Sequence, residues 1–345
     1  MQISAFDYEL PEELIAQHPL PERDASRMLI VDRKAQTWTD SRFAELPQHL
    51  NSTDVLVINN TRVFPARLIG RRKPSGGGVE ILLVRELEPF VWETLVRPGR
   101  RLKPGALVSF ADGRLSAEVI AVPGTGLHHF RFTCRDRWET VLNEIGVMPL
   151  PPYIRRPAGS TTADCERYQT LFARERGAIA APTAGLHFTP RILEQISQVG
   201  TKLAEITLHV GYGTFEPVRV QDTDQHSVAA ERYRISKVTA DTVNEARARG
   251  GRVIAVGTTT TRALESGADS DGWLRPTRGN AALTIVPGYR FQIADALLTN
   301  FHLPRSSLLM LVSAFAGHEL MLGAYKHAVD ARYRFYSYGD CMLVI

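Results

Sequence analysis

Four histidines stand in loops whose composition is too polar and too shaped for plain core packing. They are His187 in "AAPTAGLHFT", His209 in "TLHVGYGTF", His226 in "DTDQHSVAAERY" and His302 in "TNFHLP". Imidazole is the side chain that gives or takes a proton near neutral pH, so each is a candidate acid or base. Each is equally able to serve as a hydrogen-bonded strut, and the residue type alone does not decide between the two. The remaining polar groups collect in "INNTRV", with Arg62, and in "VIAVGTTTTR", with Thr258 and Arg262. The last of these resembles a strand–turn–helix anion cradle, but it lacks the lysine and glycine spacing of a P-loop. No G-x-G-x-x-G, no G-x-S-x-G elbow and no C-x-x-C pair occurs. Dinucleotide binding, serine hydrolysis and structural zinc are therefore unsupported, and no metal is expected.

The elements that must hold these groups follow from pattern. "DVLVINN", "KLAEITLHV", "RVIAV" and "DALLTN" read as strands, each ending in a polar cluster. Between them, "TPRILEQISQVG" has Thr189 as N-cap, Pro190 in the first turn and Gly200 at its end. "TADTVNEARARGG", "GTTTTRALES" and "SSLLMLVSAFAG" also read as helices. Ligands of open α/β sheets bind beyond the carboxyl ends of the strands, where these clusters would meet.

Between residues 67 and 150 the texture changes to short strand-like runs broken by Gly, Pro and Asp, with Asp112-Gly113 as a hairpin signal. A small antiparallel β-barrel is expected there. It would be inserted into a mixed α/β domain made of residues 1–66 and 151–345. Charge is uneven in the same way: residues 67–156 hold 15 Lys and Arg against 9 Asp and Glu, while the whole chain carries only +4. A basic insert points to a polyanionic partner. "RPGRRLKPG" is expected to be a hairpin presenting Arg97, Arg100, Arg101 and Lys103 to phosphates. Three scattered cysteines, no leader-like start and no apolar run long enough to span a bilayer lead to the expectation of a cytoplasmic protein without membrane contact.

In order along nearly the whole chain, "FDYELPEELIAQHP", "VINNTRVFPARLIGR", "MPLPPYI", "GAIAAPTAGLHFT", "TLHVGYGTFEPVR", "VIAVGTTTTRALES", "DALLTNFHLPRSSLLMLVSAFAG" and "YRFYSYGDCML" resemble one family. It is that of the S-adenosylmethionine:tRNA ribosyltransferase-isomerases of queuosine biosynthesis. The resemblance implies that S-adenosylmethionine is consumed as a substrate. Its ribosyl unit passes to 7-aminomethyl-7-deazaguanine in a tRNA anticodon and isomerises to give epoxyqueuosine, with adenine and methionine released. It also implies an α/β domain with an inserted barrel. On this reading His187, His209, His226 with Glu231, and His302 are the catalytic candidates. Thr183, Thr258 and Asn300 join the substrate-binding set. Tyr336, Tyr338 and Asp340 would face the sulfonium, and Arg62 and Arg262 would fix the methionine carboxylate or a tRNA phosphate. A monomer is expected. Two segments depart from the family's usual pattern: Val228 and Ala229 replace a Met and a second His, and Asn280, Ala281 and Val286 replace an Asp-Thr pair and an aromatic residue. Two alternatives stand beside this reading: a tRNA-binding protein with degenerate catalytic equipment, and an S-adenosylmethionine-dependent tRNA methyltransferase.

Overall fold

The computed structural model describes residues 1–124, 126–156, 159–215, 218 and 220–345. In chain order the strands and helices begin with β1 (Arg27–Asp32), β2 (Thr37–Arg42), β3 (Val55–Asn59) and β4 (Thr61–Val63). A run of six strands follows: β5 (Arg67–Lys73), β6 (Gly78–Glu88), β7 (Val91–Arg97), β8 (Leu107–Phe110), β9 (Leu115–Ala121) and β10 (Leu127–Cys134). Next come α1 (Trp138–Ile145), α2 (Thr162–Arg167), β11 (Glu175–Ala178), α3 (Pro190–Val199), β12 (Lys202–Leu208), β13 (Glu231–Ile235) and α4 (Lys237–Ala248). The chain ends with β14 (Val253–Val256), α5 (Thr258–Ser266), β15 (Thr277–Ala281), β16 (Ala296–Asn300), α6 (Ser307–Ala316), α7 (His318–Asp330) and β17 (Cys341–Val344).

These elements divide into two compact units. One holds residues 1–62, 152–155 and 167–345; the other holds 63–151 and 156–166. Residues 156–166 thus group with the barrel, beyond the 67–150 insert expected from composition.

The first unit is built on a nine-stranded mixed sheet of order β15-β13-β12-β3-β14-β16-β17-β1-β2. Its centre, β12-β3-β14-β16, is parallel; on one side β13 pairs antiparallel with β12 and β15 with β13, and on the other β17 pairs antiparallel with β16 and parallel with β1, with β2 antiparallel to β1 at the edge. All five residues of β3 are buried, as a strand covered on both faces requires. Leu56 and Ile58 share a core with Phe188, Ile192 and Ile196 of the α3 region, while α4 and α5 pack against the same strands. The expected caps hold α3: Thr189 Oγ1 accepts from Ile192 N at 3.3 Å, and Gly200 closes the helix at φ 89°.

The second unit is a closed six-stranded antiparallel barrel, β10-β7-β6-β5-β8-β9. Alternate residues point inward, so Val79, Ile81, Leu83, Val108, Phe110, Val119, Phe130 and Phe132 fill it. Gly70 is a glycine because a Cβ there would lie 2.5 Å from the Phe110 ring. One expectation fails here. β7 pairs with β6 and β10, whereas β8 pairs with β5 and β9. "RPGRRLKPG" is therefore a crossover between non-adjacent strands and not a hairpin.

Among the described residues, no single helix is long and apolar enough to cross a membrane.

Candidate active site

The parallel strands β3, β12, β14 and β16 all end on one edge of the sheet, and the polar endings of β14 and β16 meet there, while those of β3 and β12 do not join them. A cavity opens beside the ends of β14 and β16, lined by Thr183, Thr258, Asn300, His302 and Tyr336, with Tyr153. The first turn of α5 faces it through Gly257, Thr258 and Thr259. Gly257 sits at φ 92°, ψ 151°, and no side chain caps the helix. Thr260 and Thr261 turn back onto the Val256 and Gly257 carbonyls at 2.6 and 3.2 Å. An uncapped helix start presents amide N–H groups and a partial positive charge, a natural seat for an anion.

Asn300, at the end of β16, is the hub. Its Nδ2 donates to the Tyr336 carbonyl at 3.1 Å, the Asp340 carbonyl at 3.4 Å and His187 Nε2 at 3.2 Å. Two carbonyl partners fix which way the amide faces. Its Oδ1 is buried without a hydrogen-bond partner. A buried acceptor left unmet is costly.

His187 lies behind Asn300, away from this cavity. The amide donor facing Nε2 makes that nitrogen an acceptor, so the ring proton sits on Nδ1 and is donated to Ser26 Oγ at 2.9 Å. Burial, reinforced by the Arg23 charge, pushes its pKa down to about 4. The ring borders a smaller cavity of about 280 Å³ with Arg23 and Tyr338. The geometry makes it a neutral prop for Asn300. His302, by contrast, lines the main cavity. Its Nε2 meets Thr299 Oγ1 at 3.0 Å, and burial lowers its pKa to about 3. Tyr336 adopts φ 73°, rare for a residue with a side chain, and its carbonyl is one of the two that Asn300 holds.

A second cavity, of about 470 Å³, shares Thr259 and Leu308 with the first and is lined by Ala229, Glu231 and Arg262. Arg262 does not stand ready for a carboxylate or phosphate from outside. It pairs with Glu231 at 2.6 Å and also donates to the Leu283 and Ala281 carbonyls at 3.1 and 2.8 Å. Glu231 in turn accepts from Gly211 N at 2.8 Å. Both charges are buried, where removal of either would strand the other. The expected pairing of Glu231 with His226 is replaced by this bridge. His226 is half-buried, its Nε2 has no hydrogen-bond partner, and burial lowers its pKa.

His209 lies elsewhere again, bonded through Nδ1 to Thr61 Oγ1 at 2.9 Å. Burial, then the Arg232 charge, lowers its pKa to about 4. It borders a third cavity of about 780 Å³ with Arg232, Arg234 and Arg278. Asp340 is not among the residues lining the main cavity. Its carboxylate is consumed by the Arg27 and Arg334 amides at 2.9 and 2.8 Å and by Arg27 Nε at 3.3 Å. Arg62 is exposed on β4; Arg97, Arg100, Arg101 and Lys103 are all exposed on the barrel. Sequence reasoning overlooked Thr259 and Tyr153 as lining groups. Tyr153 had a signal, an aromatic framed by prolines in "MPLPPYI", but nothing local ties it to Ser337, its hydroxyl partner.

The family described as "Queuosine biosynthesis protein" matches residues 3–344. A protein of Moorella thermoacetica is 51% identical over 346 residues, and one of Pelotomaculum thermopropionicum is 49% identical over 345, with all of each chain covered in both cases. Both are named S-adenosylmethionine:tRNA ribosyltransferase-isomerase. Among solved structures, the S-adenosylmethionine tRNA ribosyltransferase of Thermotoga maritima is similar at 37% identity and TM-score 0.55, over 99% of this chain and 100% of that one. The likeness covers the whole length of the chain in both relatives and 99% of it in the solved structure. The chain belongs to the queuosine biosynthesis protein family.

Proposed function

We infer that the chain is an S-adenosylmethionine:tRNA ribosyltransferase-isomerase, consuming S-adenosylmethionine as a substrate. Its acceptor, on this reading, is 7-aminomethyl-7-deazaguanine in a tRNA anticodon, converted to epoxyqueuosine with release of adenine and methionine. The observation that carries the site assignment is the orphaned Oδ1 of Asn300 in a cavity that also holds the uncapped start of α5. A donor and an anion on one small molecule describe an amino acid. The methionine carboxylate would meet the Thr258 and Thr259 amides, and its ammonium would meet Asn300 Oδ1. The aromatic faces of Tyr153 and Tyr336 suit the sulfonium.

Hydrogen-bonding roles follow from the charge states. Burial holds His302 neutral near pH 7 and, with its pKa lowered to about 3, makes it a poor base. Burial also raises the Tyr336 hydroxyl far above its ordinary pKa and keeps it protonated, a hydrogen-bond donor and not a strong acid. His302 as hydrogen-bond acceptor and Tyr336 as hydrogen-bond donor toward departing adenine is the assignment proposed. Arg97, Arg100, Arg101 and Lys103 are proposed to hold tRNA phosphates. The protein is proposed to act as a monomer. The three free cysteines suit a reducing cytoplasm.

Nucleoside mass spectrometry of tRNA bearing the aminomethyl base, after incubation with the protein and S-adenosylmethionine, tests the reading. The expected result is conversion of that base to epoxyqueuosine. A methylated base would support the methyltransferase instead, and binding without product would support a degenerate binder.

A further inference from the structure

The third cavity, of about 780 Å³, is absorbed by neither the chemistry nor the barrel's basic loop. It lies on one face of β12, β13 and β15. α5 approaches the other face, where Arg262 reaches Glu231. Strand register sorts its lining into two rows. Thr207, Arg234 and Arg278 stand opposite one another in the first. In the second, His209 donates its backbone N–H to the Arg232 carbonyl, and Arg232 stands opposite Asn280. Alternation along β13 sends Glu231, Tyr233 and Ile235 inward and both arginines outward.

This arrangement is unfavourable by itself. Arg234 and Arg278 face each other directly across a ladder, and like charges so placed repel. Glu175 answers Arg234 at 3.1 Å. Among the described residues, Arg232 and Arg278 make no ion pair. His209 adds no negative charge, and it is held neutral. Three guanidinium groups around a concavity, with one carboxylate between them, form a binding site for phosphodiesters.

We propose that this concavity binds the phosphodiester backbone of RNA, as a second contact for the tRNA at the carboxyl end of β12. The proposal rests on the tRNA reading of the function.

The test uses the full chain and titrates tRNA at several salt concentrations, comparing wild type with the double variant Arg232→Ala/Arg278→Ala. Arg234 is left in place so that Glu175 keeps its partner. The double variant is expected to bind tRNA about tenfold more weakly at low salt, with a log–log salt slope shallower by roughly 1.5 for two lost phosphate contacts. Its melting temperature should be unchanged or higher, and Arg232→Lys/Arg278→Lys should retain most of the slope. If wild type binds tRNA and the Ala variant binds with the same affinity and slope, the proposal is overturned. It is overturned too if inorganic phosphate protects wild type alone against heating while tRNA affinity is equal, because the site would then take small anions only. If wild type binds no tRNA at all, the reading on which the proposal rests falls, and the proposal with it.

Discussion

Asn300 links the two histidines that bracket the site, propping against His187 on one side and sharing the main cavity with His302 on the other. Asn300→Ala removes the orphan acceptor and should raise the Kd for S-adenosylmethionine about tenfold, as calorimetry would measure, the usual scale for an unmet hydrogen bond in a site. An unchanged Kd would take the ammonium away from Oδ1. The buried histidines make a second prediction. His187, His209 and His302 have native pKa values of about 4, 4 and 3, all below the ordinary 6.5. Between about pH 4 and 6.5 the unfolded chain binds protons there that the native chain does not, so stability rises with pH through that interval and is complete above it. The melting temperature should fall as pH drops from 7 to 4, and His302→Asn should flatten the fall. Much of this was open to a reader of the sequence, which supplied the right loops and residue types. It could not rank the four histidines. Whether a ring faces a cavity or a serine depends on partners such as Ser26, 161 residues from His187. Arg262, on α5, shows the same limit, since its carboxylate, Glu231, comes from β13.

At the scale of elements, the start of α5 decides where an anion can sit. Gly257 lies in a backbone region open only to glycine, and a Cβ there would meet nothing closer than 3.8 Å. Gly257→Ala should therefore cost about 1–3 kcal/mol through the backbone alone. It should also weaken S-adenosylmethionine binding by displacing the Thr258 and Thr259 amides. Denaturant unfolding and calorimetry would separate the two effects, and a variant as stable as wild type would show that the turn is not strained. Helices with local signals were legible: Thr189 and Gly200 for α3, and Ser306 for α6, whose Oγ accepts from Leu309 N at 3.2 Å. α7 went unread although Leu320, Met321, Ala324, Tyr325 and Ala328 form a helical stripe. Only Gly317, at φ 96°, separates it from α6, and the two merge in pattern. β17 was hidden for another reason. It enters the sheet between β16 and β1, pairing Cys341 with Met28 across most of the chain. The crossover at "RPGRRLKPG" was misread because strand pairing in a barrel is not local.

For the molecule as a whole, the family's full-length likeness and the cavity's chemistry converge on ribosyl transfer from S-adenosylmethionine to tRNA. The departure at Ala229 lies in the second cavity, beside Glu231 and Arg262 and apart from Asn300. Ala229→His should accordingly change turnover by less than about tenfold, since an essential acid or base is worth about a hundredfold or more. A gain above that, from a nearly inactive wild type, would mark the missing imidazole as essential. Charge reversal on the barrel, Arg100→Glu with Arg101→Glu, should weaken tRNA binding and flatten its salt dependence while leaving S-adenosylmethionine binding intact. The most direct measurement follows the label. S-adenosylmethionine carrying a radioactive ribose, and a second preparation labelled in the methyl group, are each incubated with the protein and tRNA bearing the aminomethyl base. The account predicts that ribose label enters the tRNA, one equivalent per adenine released, and that methyl label leaves as methionine. Methyl label in the tRNA, with S-adenosylhomocysteine as the by-product, would contradict it.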